Sequence, residues 1–116
     1  VTGTSLDSDF NEMSDRKIDV VKIDVEGFEP DVLEGMSNVI KTFEPLIIME
    51  FNAWALMSIK NLNPRTFLER LHTTFDKIAR IGAEGDLEVI ETQDDLLTFL
   101  HDHLILRTCN DDLAFL

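Results

Sequence analysis

Asp19-Val20-Val21-Lys22-Ile23-Asp24-Val25-Glu26-Gly27-Phe28-Glu29-Pro30 is an apolar run that ends in carboxylates and turns straight into a helix start. Val20 to Val25 is apolar and β-branched apart from Lys22 and Asp24, the composition of a strand buried on both faces of a parallel sheet. Pro30 fits the first helical position, and Glu29 and Asp31 stand where the helix dipole favours negative charge. Val32, Leu33, Met36, Val39, Ile40 and Phe43 then form one apolar stripe, which predicts a single helix stopped by Glu44-Pro45. Leu46-Ile47-Ile48-Met49-Glu50-Phe51 reads as a second buried strand, and it too ends in acid, followed by Asn52. Strand, helix and strand at this spacing make a βαβ crossover, so both strands deliver polar groups to the same edge of a parallel sheet.

The second half repeats the pattern less regularly. Asn63 reads as an N-cap with Pro64 behind it, and Phe67, Leu68, Leu71 and Phe75 supply a helix face. Lys77 to Ile81 predicts a third strand, Gly82 to Asp86 a turn, and Leu87 to Ile90 a short hairpin partner. Thr92 can cap a helix whose face is Leu96, Leu97, Leu100 and Leu104, and Asp112 to Leu116 reads as a last strand. Near the start, Leu6, Phe10 and Met13 suit a short helix opened by Ser5 or Asp7.

At 116 residues the chain is at most one domain. Its 23 Asp and Glu against 10 Lys and Arg give a net charge of −13, and no basic cluster occurs. Nucleic acid and anionic membranes are therefore poor partners, whereas cationic ligands or divalent metals would suit the charge. Cys109 is alone, which excludes an internal disulfide and a cysteine-rich zinc site. With no apolar stretch long enough to span a bilayer and no secretory leader, a soluble, cytoplasmic protein is the default expectation. The chain begins with Val1, as an excised fragment would.

On a strand alternate residues share a face, so Lys22, Asp24 and Glu26 point one way. A carboxylate within a buried strand must be paired or used, and Asp24 is either bonded to a partner such as Lys22 or part of a site. Gly27 and Glu29 read more simply as a capping loop, with a positive φ at the glycine and the carboxylate on nearby amides. Glu50 and Asn52 share parity and face Asp24 if the two strands are neighbours. Such a group could hold a divalent cation, orient a hydroxyl or grip an amino group. His72, His101 and His103 are read as surface or helix-end residues, and Trp54 as a cover for the sheet edge.

Val21-Lys22-Ile23-Asp24-Val25-Glu26-Gly27-Phe28-Glu29, then Val32-Leu33-Glu34-Gly35 and Pro45-Leu46-Ile47-Ile48-Met49-Glu50-Phe51-Asn52, preceded by Thr4-Ser5-Leu6-Asp7, resembles the signature of FkbM-type S-adenosylmethionine-dependent methyltransferases. The resemblance implies an α/β fold, a Rossmann-like three-layer sandwich with a mostly parallel sheet. This chain would form its C-terminal half from the fourth strand onward. Residues 1–18 would then be a lead-in, 19–52 the βαβ signature and 53–116 the remaining helices and strands of one partial domain. The glycine-rich turn and strand-end acid through which the family holds most of its cofactor have no counterpart here.

By the same resemblance Asp24 and Glu26 are catalytic candidates. Asp24 and Val25 would line the methionine side of S-adenosylmethionine, and Glu50 and Asn52 would face the acceptor. The implied reaction is O-methylation of a hydroxylated small molecule or sugar in the intact protein, with the fragment alone inactive and no metal expected. A homodimer through an exposed sheet edge is expected as well. Two rival readings remain: a divalent-metal hydrolase using Asp24, Glu26, Glu50 and Asn52 as ligands, and a non-catalytic α/β interaction module.

Overall fold

The computed structural model describes residues 3–9 and 17–116. Among these residues five strands and five helices follow one another as β1 (Val20–Ile23), α1 (Glu29–Gly35), α2 (Ser37–Phe43), β2 (Leu46–Asn52), α3 (Ala53–Lys60), α4 (Pro64–Thr74), β3 (Ile78–Ile81), β4 (Leu87–Val89), α5 (Gln93–Ile105) and β5 (Asn110–Phe115). They form a single sheet in the order β1-β2-β5-β3-β4.

The βαβ unit is present: β1 pairs in parallel with β2, Ile23 opposite Met49. The expected mostly parallel sheet is not, because every other pairing is antiparallel. β1, β2 and β3 do run in one direction, as the pattern of strands and helices implied. β5, however, slots between β2 and β3 against both, and the turn at 82–86 folds β4 back on β3.

Of the three layers expected of the intact domain, the described residues form two, the sheet and the helices on one face of it. Ile23, Ile47, Met49, Phe51, Ile78, Leu113 and Phe115 bury one sheet face against Leu33, Met36, Val39, Leu56, Phe67, Leu68, Leu71, Leu96, Phe99 and Leu100 of the helices. On the other face Val20, Leu87 and Val89 are exposed and Ile48, Ala79 and Ala114 half-buried, so β1 and β2 are each covered on one side among the described residues.

The single helix expected over 30–43 is two. Met36, at φ −126° and ψ 21°, interrupts it after Gly35. The lead-in segment causes the break to be worthwhile: a Cβ at Gly35 would stand 3.2 Å from that of Ser5, and Asp7 N–H donates to the Gly35 carbonyl at 2.9 Å. The Asp7 carboxylate then accepts from Asn38 N–H at 2.9 Å, Val39 N–H at 3.2 Å and the Ser37 hydroxyl at 2.9 Å, capping α2 from outside its own sequence. Desolvation alone would raise its pKa, but these bonds outweigh it and hold the carboxyl below its usual value. The helix expected around Leu6, Phe10 and Met13 falls mostly outside the described residues, and residues 6–8 form a turn.

Asn63 caps α4 as expected, accepting from Arg65 N–H at 2.9 Å, and Thr92 and Asp95 form a reciprocal capping box at the start of α5. The buried face of α5 is rotated from the leucine stripe. Leu96, Phe99, Leu100 and His103 point inward, while Leu97 and Leu104 are exposed.

Candidate functional site

β1 and β2 end side by side, and the residues that leave them meet. Ile23 pairs with Met49, so the next residues, Asp24 and Glu50, lie together on the face opposite the core. Carboxylate oxygens of Asp24, Glu26 and Glu50 come within 4.8 Å of one another.

The loop after β1 is built to hold them there. Glu26 (φ 52°) and Gly27 (φ 98°) both take left-handed backbone, which is unfavourable for glutamate and free for glycine. A Cβ at Gly27 would also stand 3.1 Å from the Ala55 carbonyl oxygen, so the glycine lets the loop close onto the start of α3. Glu29 is 1% exposed and accepts through Oε1 from Gly27 N–H at 3.2 Å and Val25 N–H at 3.3 Å. This is the capping loop the residues suggested. Its Oε2, however, is buried without a partner.

Among the described residues these acids lack cations. Lys22, the neighbour on the same face as Asp24, donates instead to Asp112 on β5 at 2.7 Å, and Lys60 pairs with Asp31 at 2.7 Å and lies over the Phe28 ring. Among the described residues no hydrogen bond or ion pair engages Asp24. Glu50 Oε2 is buried and unpartnered. Desolvation, opposed by a hydrogen bond from Asn110 and reinforced by the charges of Asp24, Glu26 and Glu29, pushes the Glu50 carboxyl up from its usual pKa. Two unit charges at this range repel by about 1 kcal/mol in water and about 3 kcal/mol at an effective dielectric near 20. Three carboxyl groups held this close therefore favour any ligand that brings positive charge or a proton donor.

The remaining sequence candidates separate. Val25, half in solvent, contributes backbone to the loop. Asn52 shares the Glu50 face but spends its side-chain oxygen on Ala55 N–H at 3.0 Å as the cap of α3. Trp54, on the first turn of α3, is 65% exposed.

One residue was missed. His103 is fully buried, not at the surface: its Nδ1–H donates to Asp111 at 2.6 Å, and its Nε2 accepts from Ala53 N–H at 3.3 Å. It packs edge-on against Phe51, 5.0 Å between ring centres, behind the Glu50 strand end. Burial lowers its pKa in spite of Asp111, keeping the ring neutral. The signal in the sequence was the helical spacing of Leu96, Phe99, Leu100 and His103, hidden by the neighbouring leucines.

Residues 1–104 match the family model described as the Methyltransferase FkbM domain. No curated protein and no solved structure matches the chain. Among the described residues no helix is long and apolar enough to cross a membrane.

Proposed function

The chain belongs to the FkbM methyltransferase family, and we propose that it takes part in moving the methyl group of S-adenosylmethionine to a hydroxyl oxygen of a small molecule or sugar. The observation that carries the reading is the convergence of Asp24, Glu26 and Glu50 at the carboxyl ends of two parallel strands, where open α/β sheets bind ligands. The sulfonium already makes the methyl group electrophilic, so the protein's task is alignment and proton removal. Bound S-adenosylmethionine would supply the methyl group and carry away its bonding electrons on sulfur, and a carboxylate would take the hydroxyl proton as the oxygen gains the methyl group. Asp24 and Glu26, exposed and free of cationic partners, are the acceptors for that proton, with Asp24 and Val25 beside the methionine side of the cofactor. Glu50 and the amide of Asn52 line the acceptor side.

The test is transfer of a labelled methyl group to a panel of hydroxylated acceptors by the complete natural protein, with calorimetric titration of S-adenosylhomocysteine into it and into residues 1–116. Asp24→Asn is expected to lower kcat/KM by about a hundredfold or more, the range of general-base catalysis. Unchanged transfer in both Asp24→Asn and Glu26→Gln would refute the assignment.

A further inference from the structure

We propose that the acidic strand ends hold one divalent cation of the hard, oxygen-seeking class, with Asp24, Glu26 and Glu50 as its ligands. Two observations support this. The first is that the three side chains place ligand oxygens within 4.8 Å of one another. The second is a pair of orphaned oxygens, one on Glu50 itself and one on Glu29 at the start of α1. Glu29, 1% exposed, is clamped by its Oε1 to two loop amides and leaves Oε2 buried with no partner, while Glu50 Oε2 is buried and unpartnered in the same way. Glu29 lies close enough for its charge to act on Glu50, as do Asp24 and Glu26. Buried carboxylate oxygens are normally satisfied by donors, by a cation or by a metal.

Among the described residues the fold supplies no cation. Lys22 and Lys60 are turned to Asp112 and Asp31, and the arginines at this end of the sheet, Arg80 and Arg107, reach Asp111 on the opposite face. A proton could neutralise one carboxylate but would leave the other charges facing each other. A divalent ion would meet Asp24, Glu26 and Glu50 together and lessen the field that Glu29 adds to Glu50.

The ligand chemistry narrows the ion. All three donors are carboxylates, with no thiolate or imidazole among them, which disfavours zinc and copper and favours magnesium, manganese or calcium. Three side chains leave coordination positions for water or for an acceptor's oxygen, the usual arrangement around magnesium. An ion here would hold and acidify an acceptor hydroxyl, and the proton would pass to the oxygen of Asp24 or Glu26 that the ion leaves free, the role proposed for them above.

The experiment measures free manganese by electron paramagnetic resonance as the ion is titrated into the full chain, without S-adenosylmethionine. Magnesium follows as competitor. The expected result is one manganese per chain, displaced by magnesium, with affinity about tenfold weaker or worse in Asp24→Asn and in Glu50→Gln, since each removes a charged ligand. The control is Asp94→Asn, an exposed acid at the start of α5, which should bind as the unaltered chain does. Glu26→Gln, in the exposed turn, serves if either strand-end variant fails to give a native circular-dichroism spectrum. No binding by the folded chain at millimolar manganese overturns the proposal, as does equal binding in the Asp24, Glu50 and Asp94 variants. Because binding is read without methyl transfer, a chain that binds manganese but transfers no methyl group would count against the proposed reaction alone.

Discussion

The same end of the sheet carries two clusters of charge, one on each face, and they are opposite in kind. On the core face Asp111, 7% exposed, is met by Arg80 Nε at 2.7 Å, His103 Nδ1 at 2.6 Å and Arg107 Nε at 3.1 Å. Burial would raise its pKa, but these three donors outweigh burial and hold the carboxyl below its usual range. On the outer face Asp24, Glu26, Glu29 and Glu50 have no basic partner among the described residues, and two of their oxygens are buried without a donor there. Charge that is matched within the chain is structural, since it spends its interaction energy on holding β5, β3 and α5 together. Charge left unmatched costs stability, and its natural use is to meet something from outside.

The contrast is broken most directly at Asp111. Asp111→Ala leaves His103 without its acceptor and both arginines without their shared carboxylate, and removal of one partner from a buried pair costs about 3–5 kcal/mol. Arg80 keeps Glu88 at 2.9 Å and Arg107 is partly solvated, so the lower end of that range is expected. Urea unfolding followed by far-ultraviolet circular dichroism measures it. A loss below about 1 kcal/mol would mean that the cluster is no more structural than a surface ion pair.

Gly27→Ala comes next. The left-handed backbone and the 3.1 Å approach to the Ala55 carbonyl oxygen oppose a side chain there, and a cost of about 1–3 kcal/mol is expected. The same variant should impair manganese binding, because the turn that carries Glu26 must shift to make room. Thermal melting gives the first quantity, and an unchanged melting temperature would show that the loop has another way to close.

How much of this contrast could be read from the chain depends on whether neighbours in sequence or neighbours in space decide it. The outer cluster was legible, because β1 and β2 are parallel partners of one crossover and strand parity alone sets Asp24 beside Glu50. The inner cluster was not, because it joins α5 to β3 and β5, and β5 enters the sheet between two earlier strands, a placement no local periodicity encodes. For the same reason the sheet read as mostly parallel from its first two strands. The break at Met36 was hidden likewise: its apolar stripe continues through, and the cap that pays for the interruption comes from Asp7, far away in sequence. Glu29 was half legible, its amide bonds being a local loop property and its orphaned oxygen a matter of burial.

A smaller effect separates the faces by pH. His103 has its pKa lowered from 6.5, chiefly by burial, so the unfolded chain binds its proton more readily than the folded one. Stability should then fall as pH drops below about 6.5, by no more than about 1.4 kcal/mol per pH unit from this group. Comparing urea midpoints at pH 7.5 and 5.5 for the unaltered chain and for His103→Gln isolates it, with the pH dependence expected to shrink in the variant. An equal dependence in both would assign the effect to other groups.

The smallest effect has the opposite sign and is the most telling. Glu50→Gln keeps the shape of a half-buried side chain and removes one charge from a group in which Asp24, Glu26 and Glu29 all act against it. In the presence of EDTA, at pH 7, this variant is expected to be more stable than the unaltered chain, by about 0.5–1 kcal/mol given the solvent that screens Asp24 and Glu26. Adding millimolar manganese should reverse the order, since the ion binds more tightly to, and so stabilises more, the chain that keeps its carboxylate. If Glu50→Gln instead lost stability in EDTA, the bond from Asn110 would outweigh the repulsion, and the outer cluster would be a satisfied part of the fold like the inner one.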